Sequence, residues 1–114
     1  MIRLPGPNEA PRLSGHRMSL DEYREQLIGR LKNCADTAAA RTLLVEAELV
    51  LVNARLALPT QSRFWESVHE DLDTVAEAAR LSADREAGMK LAAVVAAAQG
   101  RIARNRERLT GASK

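Results

Sequence analysis

Three aromatic residues, one cysteine and two histidines are all that a 114-residue sequence offers of these types, and each shortage excludes something. Cys34 has no second cysteine with which to form an intramolecular disulfide, so the fold is built without a cross-link. His16 and His69 lie 53 positions apart, far from any metal-ligand spacing. With Trp65, Phe64 and Tyr23 the only aromatics, none interleaves with the basic residues in the manner of a single-strand nucleic-acid binder. No stretch approaches the ~18 uninterrupted apolar residues of a membrane-spanning helix, and the opening MIRLPGPNEAPRL sets prolines where a signal peptide needs an apolar run. The expected location is therefore cytoplasmic. A Gly-rich phosphate loop, a nucleophile paired with a base and a cofactor motif are also missing. The sequence predicts no enzyme, no cofactor and no metal.

Breakers are scarce outside the N-terminus. Three of four prolines fall within residues 1–17, which show no periodicity and are expected to form a disordered or loosely docked tail. The whole chain is 46% hydrophobic, with Ala supplying 20 residues. Ala and Leu head the helix-propensity scale, so the pattern predicts helices packed through small side chains. The expected fold class is all-α, a small three- or four-helix bundle over residues 18–110, with residues 111–114 a frayed end. A chain of this length buries roughly 65% of its unfolded surface, enough for a real core.

The formal charge of +2 conceals an uneven distribution. Residues 1–18 carry three Arg and one Glu, residues 19–98 nine basic and thirteen acidic residues, and residues 99–114 five basic and one acidic. The middle is acidic and both ends are basic, which permits an acidic partner or nucleic acid without specifying either. Arg outnumbers Lys by 14 to 3, a bias that suggests a GC-rich bacterial genome.

Four helical segments emerge. Ser19 and Glu22 form a capping box, after which Leu20, Tyr23, Leu27, Ile28, Leu31 and Cys34 recur on one stripe of a 3.6-residue period. The second helix is expected from Asp36 or Thr37 to a stop before Pro59. Within it Arg41, Glu48 and Arg55, seven residues apart, line up as a charged stripe, and Thr42, Glu46 and Asn53 form a milder polar seam nearly opposite. Between these lie two apolar flanks: Leu43, Ala47, Val50, Leu51, Ala54 and Leu58 on one side, Val45, Leu49, Val52 and Leu56 on the other. Such a helix is packed on both sides. A third helix after Pro59, capped by Thr60 or Ser62, carries the stripe Phe64, Trp65, Val68, Leu72, Val75, Ala76 and Ala79. Its far side is the acidic ridge Glu66, Glu70, Asp73 and Glu77. At Leu81–Asp84 the chain either breaks, with Ser82 or Asp84 capping a new helix, or continues as one kinked helix; beyond it a helical stretch runs from about Ala83 to Leu109, where Gly100 marks the expected close approach of another backbone.

These patterns yield one leading reading and two others. An uncovered row of large aliphatics is an association hazard, so Val45, Leu49, Val52 and Leu56 are expected to be covered, by the first or fourth helix of the same chain in a compact bundle, or by a second copy or another protein's helix. The leading reading takes the latter. The chain is thus expected to be a non-enzymatic interaction module, an adaptor, regulatory or chaperone-like protein acting as a homodimer. The alternative is an accessory nucleic-acid-binding protein using the basic ridge Arg101, Arg104 and Arg108, with Arg106 off the ridge and placed for a phosphate. Set against it, basic residues near a helix C-terminus suit the macrodipole, and an antiparallel third helix brings Glu66 opposite this region. A third reading gives the acidic ridge a basic protein target. His69 and Asp73, spaced i, i+4, are two ligands at most, too few for a metal site.

Overall fold

The computed structural model describes residues 18–111. The tail assigned to residues 1–17 and the last three residues of the frayed end lie outside the described residues. Four helices make up the rest: α1 (Leu20–Lys32), α2 (Thr37–Asn53), α3 (Leu58–Arg80) and α4 (Arg85–Gly111). No strand occurs among the described residues, so the protein is an all-α, compact four-helix bundle.

Local chemistry explains each boundary. The Ser19 hydroxyl accepts the Glu22 amide at 3.2 Å and the Glu22 carboxylate accepts the Ser19 amide at 3.3 Å, closing the capping box. Asp36 caps α2 by accepting from the Ala39 amide at 2.8 Å, and Asp84 caps α4 through the Ala87 amide at 3.1 Å. The segment Leu81–Asp84 therefore separates two helices. The second helix stops earlier than expected, at Asn53, where Arg55 takes a left-handed φ of 59°. Pro59 does not act as a stop signal. It sits in the first turn of α3, where its missing N–H and fixed φ favour helix initiation, and neither Thr60 nor Ser62 caps the helix.

α3 and α4 form an antiparallel hairpin, with Gly88 beside Ala79, Gln99 beside His69 and Arg106 beside Glu66. α4 packs most extensively on α3 and next on α2, while α1 lies against α3 and touches the other two. The core comprises Leu27 and Leu31 of α1, Leu44 and Leu51 of α2, Trp65, Val68 and Leu72 of α3, and Val95, Ala98 and Ile102 of α4. The three aromatics form one chain through it. Tyr23 stacks on Phe64 at 6.0 Å, and Phe64 meets Trp65 edge to face at 5.0 Å.

The glycine of close approach is not Gly100, around which a Cβ would meet nothing within 4 Å. It is Gly88, where a Cβ would collide with the Ala79 carbonyl oxygen. The hairpin link brings the start of α4 directly onto the end of α3, and Gly100 lies well beyond that contact.

Candidate protein-docking groove

The inward face of α2 is Ala40, Leu44, Ala47, Glu48 and Leu51. Leu44 shares an angular position with the charged stripe, so turning the core residues inward carries Glu48 in with them. Its side chain is 9% exposed, and its carboxylate is held by two arginines from α4. The Arg101 Nε donates to Oε2 at 2.8 Å and its Nη2 donates to Oε1 at 2.9 Å, a two-point grip. The Arg108 Nη2 donates to Oε1 at 3.1 Å and to the Asn105 side-chain oxygen at 2.5 Å. The Glu48 hydrogen bonds hold the Arg101 proton more firmly than usual, against the opposing effect of burial.

Beyond this network, α2 turns outward and its second flank is uncovered. Val45 is 40% exposed and Leu49 and Val52 are each 56% exposed. Leu56 does not continue the row. It lies past the helix end and packs against the core, while its carbonyl accepts the buried Gln61 amide at 2.9 Å. Val45, Leu49 and Val52 form one wall of a groove of about 500 Å³ whose other wall is Arg101, Asn105, Arg108 and Leu109 of α4. Trp65 and Gln61 of α3 contribute to its lining. The volume suits several side chains of a docked partner.

The basic ridge is divided among different partners. Arg101 and Arg108 turn to Glu48 rather than to α3, and Arg106 meets Glu66 at 3.6 Å. Arg104 is exposed and has no ion-pair partner among the described residues. The acidic ridge is exposed throughout, with its residues partly engaged within the chain. Glu66 faces Arg106, Asp73 accepts from the Gln99 amide at 2.7 Å, and Glu77 pairs with Arg80 one turn on. His69 Nδ1 lies 3.9 Å from Asp73, and no group of three metal-ligating side chains comes together among the described residues. Glu46 reaches toward Arg30 at 3.8 Å from the exposed seam. No helix among the described residues is long and apolar enough to cross a membrane.

Sequence reasoning placed Val45, Leu49 and Val52 together but missed Glu48, Asn105, Gln61 and Trp65 as their neighbours. One signal was available for two of these: Leu44 interrupts the Arg41–Glu48–Arg55 stripe, and Asn105 continues the inward run Val94, Ala98, Ile102. Which seam of α2 faces which seam of α4 is a tertiary choice that neither periodicity contains. No family model matches the chain, and no curated protein or solved structure matches it either.

Proposed function

We propose that this chain is a non-enzymatic protein-interaction module, an adaptor or regulatory protein of the bacterial cytoplasm, that binds its partner along the groove between α2 and α4. One observation carries the reading: Val45, Leu49 and Val52, exposed by 40%, 56% and 56%, form a contiguous aliphatic wall along one groove, whereas the other exposed large hydrophobics, Leu58, Leu81 and Met89, lie outside it. Large aliphatics grouped beside a groove mark a binding surface more often than scattered ones do. Catalysis has no comparable support, since the buried carboxylate Glu48 is neutralised by arginines and faces no nucleophile.

The test is the substitution of Leu49 and Val52 by Glu, followed by light scattering coupled to size exclusion and by circular dichroism. Both side chains are more than half exposed, so the variant is expected to keep its helicity and its melting transition. Loss of the fold would assign the flank to the core and remove the reading. Homodimerisation is the second form of the same proposal. It requires a mass of about 25 kDa, twice the 12.5 kDa chain, that the substitutions return to monomer.

The nucleic-acid reading rests on Arg104, which is exposed and unpaired among the described residues, and on Arg108, whose side chain is 65% exposed. Two such cations supply only weak, salt-sensitive affinity. Titration with duplex DNA at two salt concentrations decides it, and absence of binding at low salt removes it.

A further inference from the structure

The groove has an apolar wall and a one-signed rim. Arg41 lies one turn before Val45 on the same helix, so by i, i+4 neighbourhood it sits at the N-terminal end of the flank. Beside the opposite wall, Arg104 lies between Arg101 and Arg108 on the same face of α4, outside the groove lining itself. Arg41 and Arg104 are exposed, and neither has an ion-pair partner among the described residues. Among the described residues the only carboxylate lining the groove is Glu48, already held by two guanidinium groups. Glu46 lies toward Arg30, and Glu107 is about 100° round the helix from Arg108 and one turn after Arg104, without an ion pair to it. From Arg41 to the end of α2 at Asn53 the wall runs about 18 Å by helical rise, the length of a helix of about three turns.

We infer that the occupant of the groove is an acidic amphipathic helix of another protein, its apolar stripe on Val45, Leu49, Val52 and Leu109 and its flanking carboxylates on Arg41, Arg104 and Arg108. This rests on the docking function proposed for the groove and names the partner's chemistry. A second copy fits less well. It brings the same basic rim, and the Glu48 of each groove is already held by Arg101 and Arg108 and cannot offset it. Basic rim meets basic rim, whereas an acidic helix meets opposite charge.

The experiment is selection from a displayed library of amphipathic helices with a fixed leucine stripe and randomised flanking positions, using the full chain as bait. The expected winners carry Asp and Glu at the flanks, bind at least several-fold more weakly when salt is raised from about 50 to 300 mM, and lose binding to R41E/R104E. That variant should instead enrich Lys and Arg flanks. Both positions are exposed, so circular dichroism should show an unchanged fold. Enrichment of neutral or basic flanks by the unsubstituted chain would overturn the acidic partner. If those helices still lost binding to L49S/V52S, the docking groove itself would stand. No enrichment at all, or enrichment indifferent to L49S/V52S, would overturn both. A concentration-dependent doubling of mass abolished by L49S/V52S would make the second copy the occupant and end the proposal.

Discussion

Arg101 grips Glu48 through two parallel hydrogen bonds of 2.8 and 2.9 Å that tie α4 to α2 across 53 positions of sequence. Planar guanidinium and carboxylate groups match in this geometry, so the pair fixes the relative position of the two helices as well as their separation. The Arg101 side chain keeps 33% exposure, which lets it reach water when its partner is lost and moderates the cost of losing it. Glu48→Gln should therefore destabilise by about 2 kcal/mol, and a double-mutant cycle with Arg101→Gln should give a coupling of about 1–2 kcal/mol. Urea denaturation of the four proteins measures both. Additive effects would show that the grip does not link the helices energetically.

The two glycines of α4 should respond to alanine in opposite directions. At Gly88 the added methyl meets the Ala79 carbonyl oxygen and lies 3.1 Å from the Ser82 Cβ, and the first of these is backbone. Relief requires α3 and α4 to separate at their link, so Gly88→Ala should cost about 1–3 kcal/mol. At Gly100 a Cβ meets nothing, and Gly100→Ala should stabilise by up to about 1 kcal/mol through helix propensity alone. Thermal unfolding of the two variants side by side reads the signs, and a gain at Gly88 would contradict the close approach.

Arg55 holds a left-handed conformation with φ 59° immediately after the α2 C-cap, a position that glycine usually fills. A side chain there costs about 1 kcal/mol that glycine does not incur. Arg55→Gly should accordingly stabilise the fold by several tenths of a kcal/mol, less the lost entropy of a more flexible unfolded chain. Denaturant midpoints of the two proteins measure the gain, and a loss of stability would show that the left-handed conformation carries no strain at this position.

The four helices were legible because their signals are local. A capping box at Ser19, an Asp N-cap at Asp36 and unbroken stripes through α1 and α3 need only residues within a few turns of one another. Features that depend on two helices at once were not. Glu48 looks like a solvent-facing member of a charged stripe until Arg101 and Arg108, more than fifty positions away, supply its counter-charge. Gly100 stands out in the sequence because it sits mid-helix, whereas Gly88 matters only because the hairpin link brings Ala79 onto it. Pro59 has two opposite local meanings, stop or start, and the early end of α2 at Asn53 selects the second. The flank Val45, Leu49, Val52 was visible as a periodic row, but its setting beside Trp65 and Asn105 required the packing of α3 and α4.

Two weak acids, Cys34 and Tyr23, sit half-buried on the α1 side of the bundle. Burial pushes the Cys34 thiol above its usual range, with Arg30 acting against the shift and Asp36 adding to it. Tyr23 is raised in the same way, again chiefly by burial. Less thiolate at a given pH means slower attack on a disulfide reagent, so Cys34 should react more slowly with Ellman's reagent in the native chain at about pH 8 than in urea. For both groups the folded state binds the proton more tightly than the unfolded state. Their contribution to stability is complete below the unfolded values, about 8.5 for the thiol and about 10 for the phenol. It is lost as pH rises through the higher folded values. Stability should thus decline on the alkaline side, and Cys34→Ala should remove the earlier part of that decline. Equal native and denatured reaction rates would show that Cys34 is not shielded by the fold.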